Sequence, residues 1–276
     1  MASTGKKWAI GCGVGCGLML LVTLMVGGGL FMAVRGVMKE ADTIEESYET
    51  LEADYGQAED YTPTVSGAIP PERMEIFLAV REAMAEPSEK FANIIYILDD
   101  DDGVEVEASG YEKLKAGLSL IPSMMGYLKT RNETLLEYGM GNGEYTYIYS
   151  LAFFGYLDKE VADGPSVKLT GEDRGDSGFS FEIEGEEQSR EEREKEIRVY
   201  LHRLHLAFLN NQIDVAGEVP ALISERETLV NNPRRLLWEE GLPEAVRASI
   251  APYAERLEPT YIPIMNLVEV GTVMPH

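Results

Sequence analysis

The stretch EYTYIYSLAFFGYL, residues 144–157, carries a single charge and six aromatic rings: Tyr145, Tyr147, Tyr149, Phe153, Phe154 and Tyr156. Its apolar and aromatic side chains fall on every side of a helix, so the rest of a domain must surround it. At fourteen residues it is shorter than the roughly 20 needed to cross a bilayer. Its tyrosine hydroxyls also need partners that lipid does not offer. It is therefore expected to be the central helix of a helical domain. Gly139-Met140-Gly141-Asn142-Gly143 separates it from what precedes it.

Working outward, Ile69-Pro70-Pro71-Glu72-Arg73 reads as a helix start, with proline in the first turn and an acid favourable to the helix dipole. Met74, Phe77, Leu78 and Met84 form its apolar stripe. Pro87-Ser88-Glu89 opens a second helix bearing Phe91, Ile94, Ile95 and Leu98. A third covers about residues 110–137, interrupted near Pro122. Downstream the period changes to two: Val167 and Leu169, then Phe179, Phe181 and Ile183, around a turn-rich Gly171 to Gly178. That pattern predicts a small β-hairpin at about residues 166–185. Helices are expected at about 188–211, 219–231 and 243–257, and an extended tail over 259–276.

Upstream, Val37, Ala41, Ile44, Tyr48, Leu51, Tyr55 and Ala58 alternate four- and three-residue steps, the spacing of a helical stripe. The flanking positions include Glu40, Glu45, Glu52, Asp54 and Glu59. In a parallel homodimer these would face one another, and like charges there oppose pairing. Packing on the protein's own domain fits better than a heterologous helix or a homodimer. Further upstream, Trp8 to Val34 contains no charge over 27 residues and is bracketed by Lys6, Lys7, Arg35 and Lys39. This predicts a transmembrane helix, with Trp8 as an interfacial anchor. A cleaved signal peptide fits less well because the apolar run continues past Gly27-Gly28-Gly29. Gly11, Gly13, Gly15 and Gly17 repeat at four-residue spacing, which suits close packing of membrane helices.

The expected architecture is mostly α. A cytoplasmic tail (1–7) leads to the transmembrane helix (8–34), a helical acidic stalk (35–60) and a linker (61–69). An acidic helical domain with the hairpin (70–258) and the extended tail (259–276) follow. The basic leader places the N-terminus in the cytoplasm.

Charge narrows the function. The net charge is −24, and residues 1–39 hold four basic groups and no acid, so the remainder carries −28. Such a surface repels phosphates, which excludes nucleic-acid binding. Both cysteines, Cys12 and Cys16, lie in the apolar N-terminal run, so the domain has no thiol chemistry. Asp99-Asp100-Asp101-Asp102-Gly103 is the densest acidic cluster. Aligned as a calcium loop, it puts Leu98 at the first ligand position and Ser109 at the twelfth, so the EF-hand pattern fails. His202 and His205 share a helix face, but the same helix supplies no third ligand. No serine-hydrolase elbow, phosphate loop, dinucleotide fingerprint or zinc-protease motif is present. No cofactor or metal is expected.

The Gly-Cys-Gly-rich span, the acidic stalk, Ile69-Pro70-Pro71-Glu72-Arg73 and the segment from Leu242-Pro243-Glu244 to Leu257-Glu258 together resemble uncharacterised bacterial single-pass membrane proteins. The resemblance implies a bacterial inner-membrane location with the domain periplasmic or extracellular, and brings no activity. Anchor, stalk and missing motifs favour a membrane-tethered interaction or scaffold module with a protein partner. The alternatives are a carboxylate-dependent hydrolase of the envelope and a small-ligand-sensing domain with an apolar cavity beside Tyr147 and Phe154.

Overall fold

The structure, a computed structural model, describes residues 43–98, 110–163 and 186–270. Helix accounts for 77% of them and there is no strand among them, so the described part is all-α. Helix α1 covers residues 43–55. Then come α2 (Pro71–Ala83), α3 (Ala85–Leu98), α4 (Gly110–Tyr138), α5 (Asn142–Tyr149), α6 (Glu186–Ala216), α7 (Pro220–Asn231), α8 (Glu244–Ile250), α9 (Ala254–Leu257) and α10 (Asn266–Glu269).

Helix α5 passes without interruption into a π-helical segment, Ser150–Tyr156. Together they form the centre of the domain. Tyr145, Tyr147, Ile148, Tyr149, Leu151, Ala152 and Phe153 are all buried. The alternate tyrosines divide between two faces. Tyr145 and Tyr149, one turn apart, meet α2 and the C-terminal tail: Phe77 lies 5.3 Å from the Tyr145 ring, and Tyr149 and Phe153 are 4.7 Å apart. Tyr147 faces the other way, against Tyr61 and Phe208. Each hydroxyl donates to a distant segment: Tyr145 to Glu269 (2.6 Å) and Tyr149 to Asn266 (2.7 Å), both in α10, and Tyr147 to the Gly67 carbonyl (2.8 Å). The central helix thus ties the chain before α2 and the chain after α9 to one axis.

Helix α1 lies on this domain, with Ile44 and Leu51 in the core and the acids Glu45, Glu46, Glu49 and Asp54 outside. Buried Asn132 of α4 donates to Ser47 at 3.1 Å and holds α1 in place. Side-chain amides of α6 fix the following loop: Asn211 donates to the Glu59 and Tyr61 carbonyls, and Gln212 to those of Thr64 and Val65.

The expected fold is corrected. Among the described residues there is no strand, and no helix is long and apolar enough to cross a membrane. The span 8–34 and the hairpin 166–185 lie outside the described residues. The described residues form helices and turns and hold no sheet. Helix α4 also runs through Pro122 without the expected interruption. Buried Leu120, Met124 and Leu128 keep its face packed on both sides of the proline, which outweighs a local cost of about 3 kcal/mol. The described part of the tail, residues 259–270, is mostly helical rather than extended. Residues 258–269 are short helical turns that bury Met265, Val268 and Glu269.

The break between α4 and α5 shows why glycine is needed there. Gly139, at φ +67°, ends α4: its N–H bonds the Leu136 carbonyl, and the Met140 N–H bonds that of Leu135. At Gly143 a Cβ would sit 2.2 Å from the Ala58 carbonyl oxygen, which belongs to backbone and cannot move aside. Gly143→Ala is expected to cost about 1–3 kcal/mol of unfolding free energy in urea denaturation. Gly126→Ala, within α4 where a Cβ meets nothing inside 4 Å, should gain about 0.5–1 kcal/mol.

Candidate functional site

Of the residues singled out by sequence, Asp99, Asp100, Asp101, Asp102, Gly11, Gly13, Gly15, Gly17, Val37 and Ala41 lie outside the described residues. Tyr48 is half-buried and Tyr55 exposed at the edge of α1. His202 and His205 both face the loop after α7, where the His202 Nδ1 lies 3.3 Å from the Arg235 carbonyl. His205 is fully buried, and its Nδ1 accepts the Leu237 N–H at 3.0 Å. The proton must therefore sit on Nε2, which donates to Ser150 Oγ at 3.0 Å. Ser150 passes its own hydroxyl proton to the Tyr147 carbonyl at 3.1 Å. Burial, with His202 nearby, pushes the His205 pKa down to about 3, so the ring stays neutral. With both nitrogens engaged it holds no metal, and no group of three or more ligating side chains that could hold one occurs among the described residues.

This pair forms the inner wall of a cleft of about 360 Å³. The π-helical segment supplies Ser150 and Phe154 to one side, and Leu236 and Leu237 close the other. In a π-helix the bond reaches one residue further, which widens the turn and re-aims side chains, a geometry common at functional sites. Here the Leu157 N–H reaches back to the Ala152 carbonyl. Both flanking loops contain a non-glycine residue in the left-handed region, Asp158 at φ +53° and Trp238 at φ +56°. That conformation persists only where surroundings enforce it. Glu225 of α7 does so on the Trp238 side: its carboxylate accepts the Trp238 N–H at 2.7 Å and pairs with Arg235 at 3.3 Å.

The cleft's charged lining holds four acids, Asp158, Glu160, Glu194 and Glu239, against Lys159 and Arg198. Both cations are already paired. Arg198 bonds Glu194 and Glu239, each at 2.7 Å, and Lys159 reaches Glu258 at 2.5 Å. The lining is more polar than apolar and carries more acids than cations. A serine–histidine nucleophile is not available there, because the nitrogen beside Ser150 already carries a proton and cannot remove another.

A second group was not found from sequence. Arg81 of α2, Arg131 of α4 and Glu269 of α10 are buried together. Arg81 pairs with Glu269 and also donates to Tyr145 (2.8 Å) and to the Thr260 carbonyl. Arg131 bonds Asn142 at 2.9 Å and the Glu269 carbonyl at 3.2 Å. Burial alone would raise the Glu269 pKa; the two guanidiniums and Tyr145 outweigh it and hold the carboxyl below its ordinary range. Tyr127, also buried, lies beside the carboxylate and acts in the same direction. The missed signal was a charge on an apolar stripe: Arg81 follows Phe77 and Leu78 by one turn, and Glu269 sits between Val268 and Val270. No family model, curated protein or solved structure matches this chain.

His205 makes stability pH-dependent. Its pKa is depressed on folding, so below the unfolded value of about 6.5 the unfolded chain takes up a proton that the folded chain refuses. Its contribution is complete above that pH and is lost as pH falls toward 3. Between pH 6 and 5, urea denaturation should show this group removing about 1.4 kcal/mol per pH unit, and His205→Gln should flatten the slope by that amount.

Proposed function

We propose that the domain binds a small molecule in the cleft between the π-helical segment and the loop after α7, and serves as a ligand-sensing module. The observation that carries this reading is the cleft itself: a volume within the range of small-molecule sites, a few apolar side chains (Phe154, Leu236 and Leu237) among charged ones, and a locked polar pair, Ser150 and His205. The cavity lies beside Phe154. Tyr147 does not line it and is packed against Tyr61 and Phe208 instead. The chemistry favours a cation with an apolar body, since the lining has two more carboxylates than cations and the chain is strongly acidic. A hydrolase reading is disfavoured by the tautomer of His205. A docking-module reading draws little support from the exposed large apolar side chains, which are single residues on α1, the loop before α2, α6 and α7.

Trp238, in the loop that closes the cleft, is a built-in reporter, and Trp8→Phe leaves it the sole indole. Benzylamine should change its fluorescence saturably with a Kd below about 1 mM, while benzoate should not. Phe154→Ala should weaken the response. Equal responses to amine and acid, or none to either, would overturn this reading.

A further inference from the structure

The cleft beside His205 contains one charge that the domain leaves unused. Of its four acids, Glu160 pairs with Arg190, and Glu194 and Glu239 both hold Arg198. Asp158 is exposed and has no cation partner among the described residues. Its neighbour Lys159 is engaged by Glu258 at 2.5 Å and lies over the Tyr261 ring. The backbone position of Asp158 is unfavourable on two further counts. It follows the end of the π-helical segment at φ +53°, a conformation that costs glycine least. The Lys159 N–H, bonded to the Phe153 carbonyl at 2.9 Å, closes the turn in that shape. A carboxylate at the C-terminal end of a helix also meets the negative pole of the helix dipole. Glycine or asparagine would serve the turn without the charge. Four residues earlier, buried Phe154 lines the same cleft, with Leu236 and Leu237.

Resting on the cleft reading above, we infer that Asp158 selects the ligand, and that the ligand is a primary monoamine with an apolar body. The ammonium donates to the Asp158 carboxylate, and the body rests on Phe154, Leu236 and Leu237. A charge-assisted hydrogen bond needs an N–H, so a quaternary ammonium loses it. Such a cation is held instead by a cage of aromatic rings, and Phe154 is the single aromatic ring in this lining. A diamine gains nothing from its second charge, because the other three acids already hold arginines.

Isothermal titration of the full chain with benzylamine, benzyltrimethylammonium and p-xylylenediamine tests this. Benzylamine should bind saturably, and the quaternary cation about fivefold or more weakly. The diamine should bind no tighter than its two equivalent ends allow. Asp158→Asn keeps the side-chain shape and removes the charge. It should weaken benzylamine by about fivefold or more and abolish the preference over the quaternary cation. Without ligand, its urea midpoint should be unchanged or higher. That readout separates a binding role from a structural one, since a residue placed for stability lowers the midpoint when lost. Three results would overturn the inference and leave the cleft reading standing: benzylamine binding parent and variant alike, the quaternary cation matching benzylamine on the parent, or weaker binding accompanied by a lower midpoint. Absence of benzylamine binding to the parent would overturn both.

Discussion

The ion pair between Arg81 and Glu269 is the constraint on which the arrangement of the domain depends. It joins the second helix to the last, 188 residues apart in sequence, inside a core where neither charge touches water. Taking ions out of water costs several kcal/mol each, and the attraction between them recovers that only with good geometry and further hydrogen bonds. Here Tyr145 and the Thr260 carbonyl supply those bonds, and Arg131 donates to the Glu269 main-chain carbonyl and adds a second positive charge 3.9 Å from the carboxylate. Their net contribution to stability can be small. Their effect on specificity is large: any other seating of α10 would leave a charge buried and alone, whereas apolar residues could slide by a turn.

The central helix follows from the same constraint. Tyr145 meets the buried carboxylate, and one turn later Tyr149 meets Asn266 of the same short helix. Asn266 in turn donates to the Val161 carbonyl at 3.0 Å. This fixes the chain leaving the π-helical segment, which is one edge of the His205 cleft. The other edge is fixed through His205 itself, whose two nitrogens join the central helix to Leu237. The cleft is therefore built on a rigid support, a neutral imidazole tied at both nitrogens.

The parts of this structure legible in the sequence are those governed by period. The four-three spacing through Ile44, Tyr48, Leu51 and Tyr55 marks a helix, and Ile44 and Leu51 are the members of that series in the core. The aromatic density of residues 144–157 marks a buried element at the centre. Period says nothing about bonds between distant residues. Arg81, Arg131 and Glu269 look like solvent-facing charges until three helices bring them together. The tail beyond Pro259 has too few residues per turn-forming unit to show a helical stripe, and its structure is imposed by Glu269, Asn266 and Met265 docking into the core. The widened turn at Ser150 has no local signal either. Nothing in SLAFFGY distinguishes a π-helical turn from an α-helical one.

The direct test of the central claim is the unfolding free energy of Glu269→Gln at pH 7. The substitution keeps the side-chain shape, removes the buried negative charge and leaves two guanidiniums facing each other. Stranding them should cost about 3–5 kcal/mol, the range for breaking a buried pair. A loss below about 1 kcal/mol, the size of an exposed surface pair, would mean that the last helix is held by its apolar neighbours and that the ionic group does not set the fold.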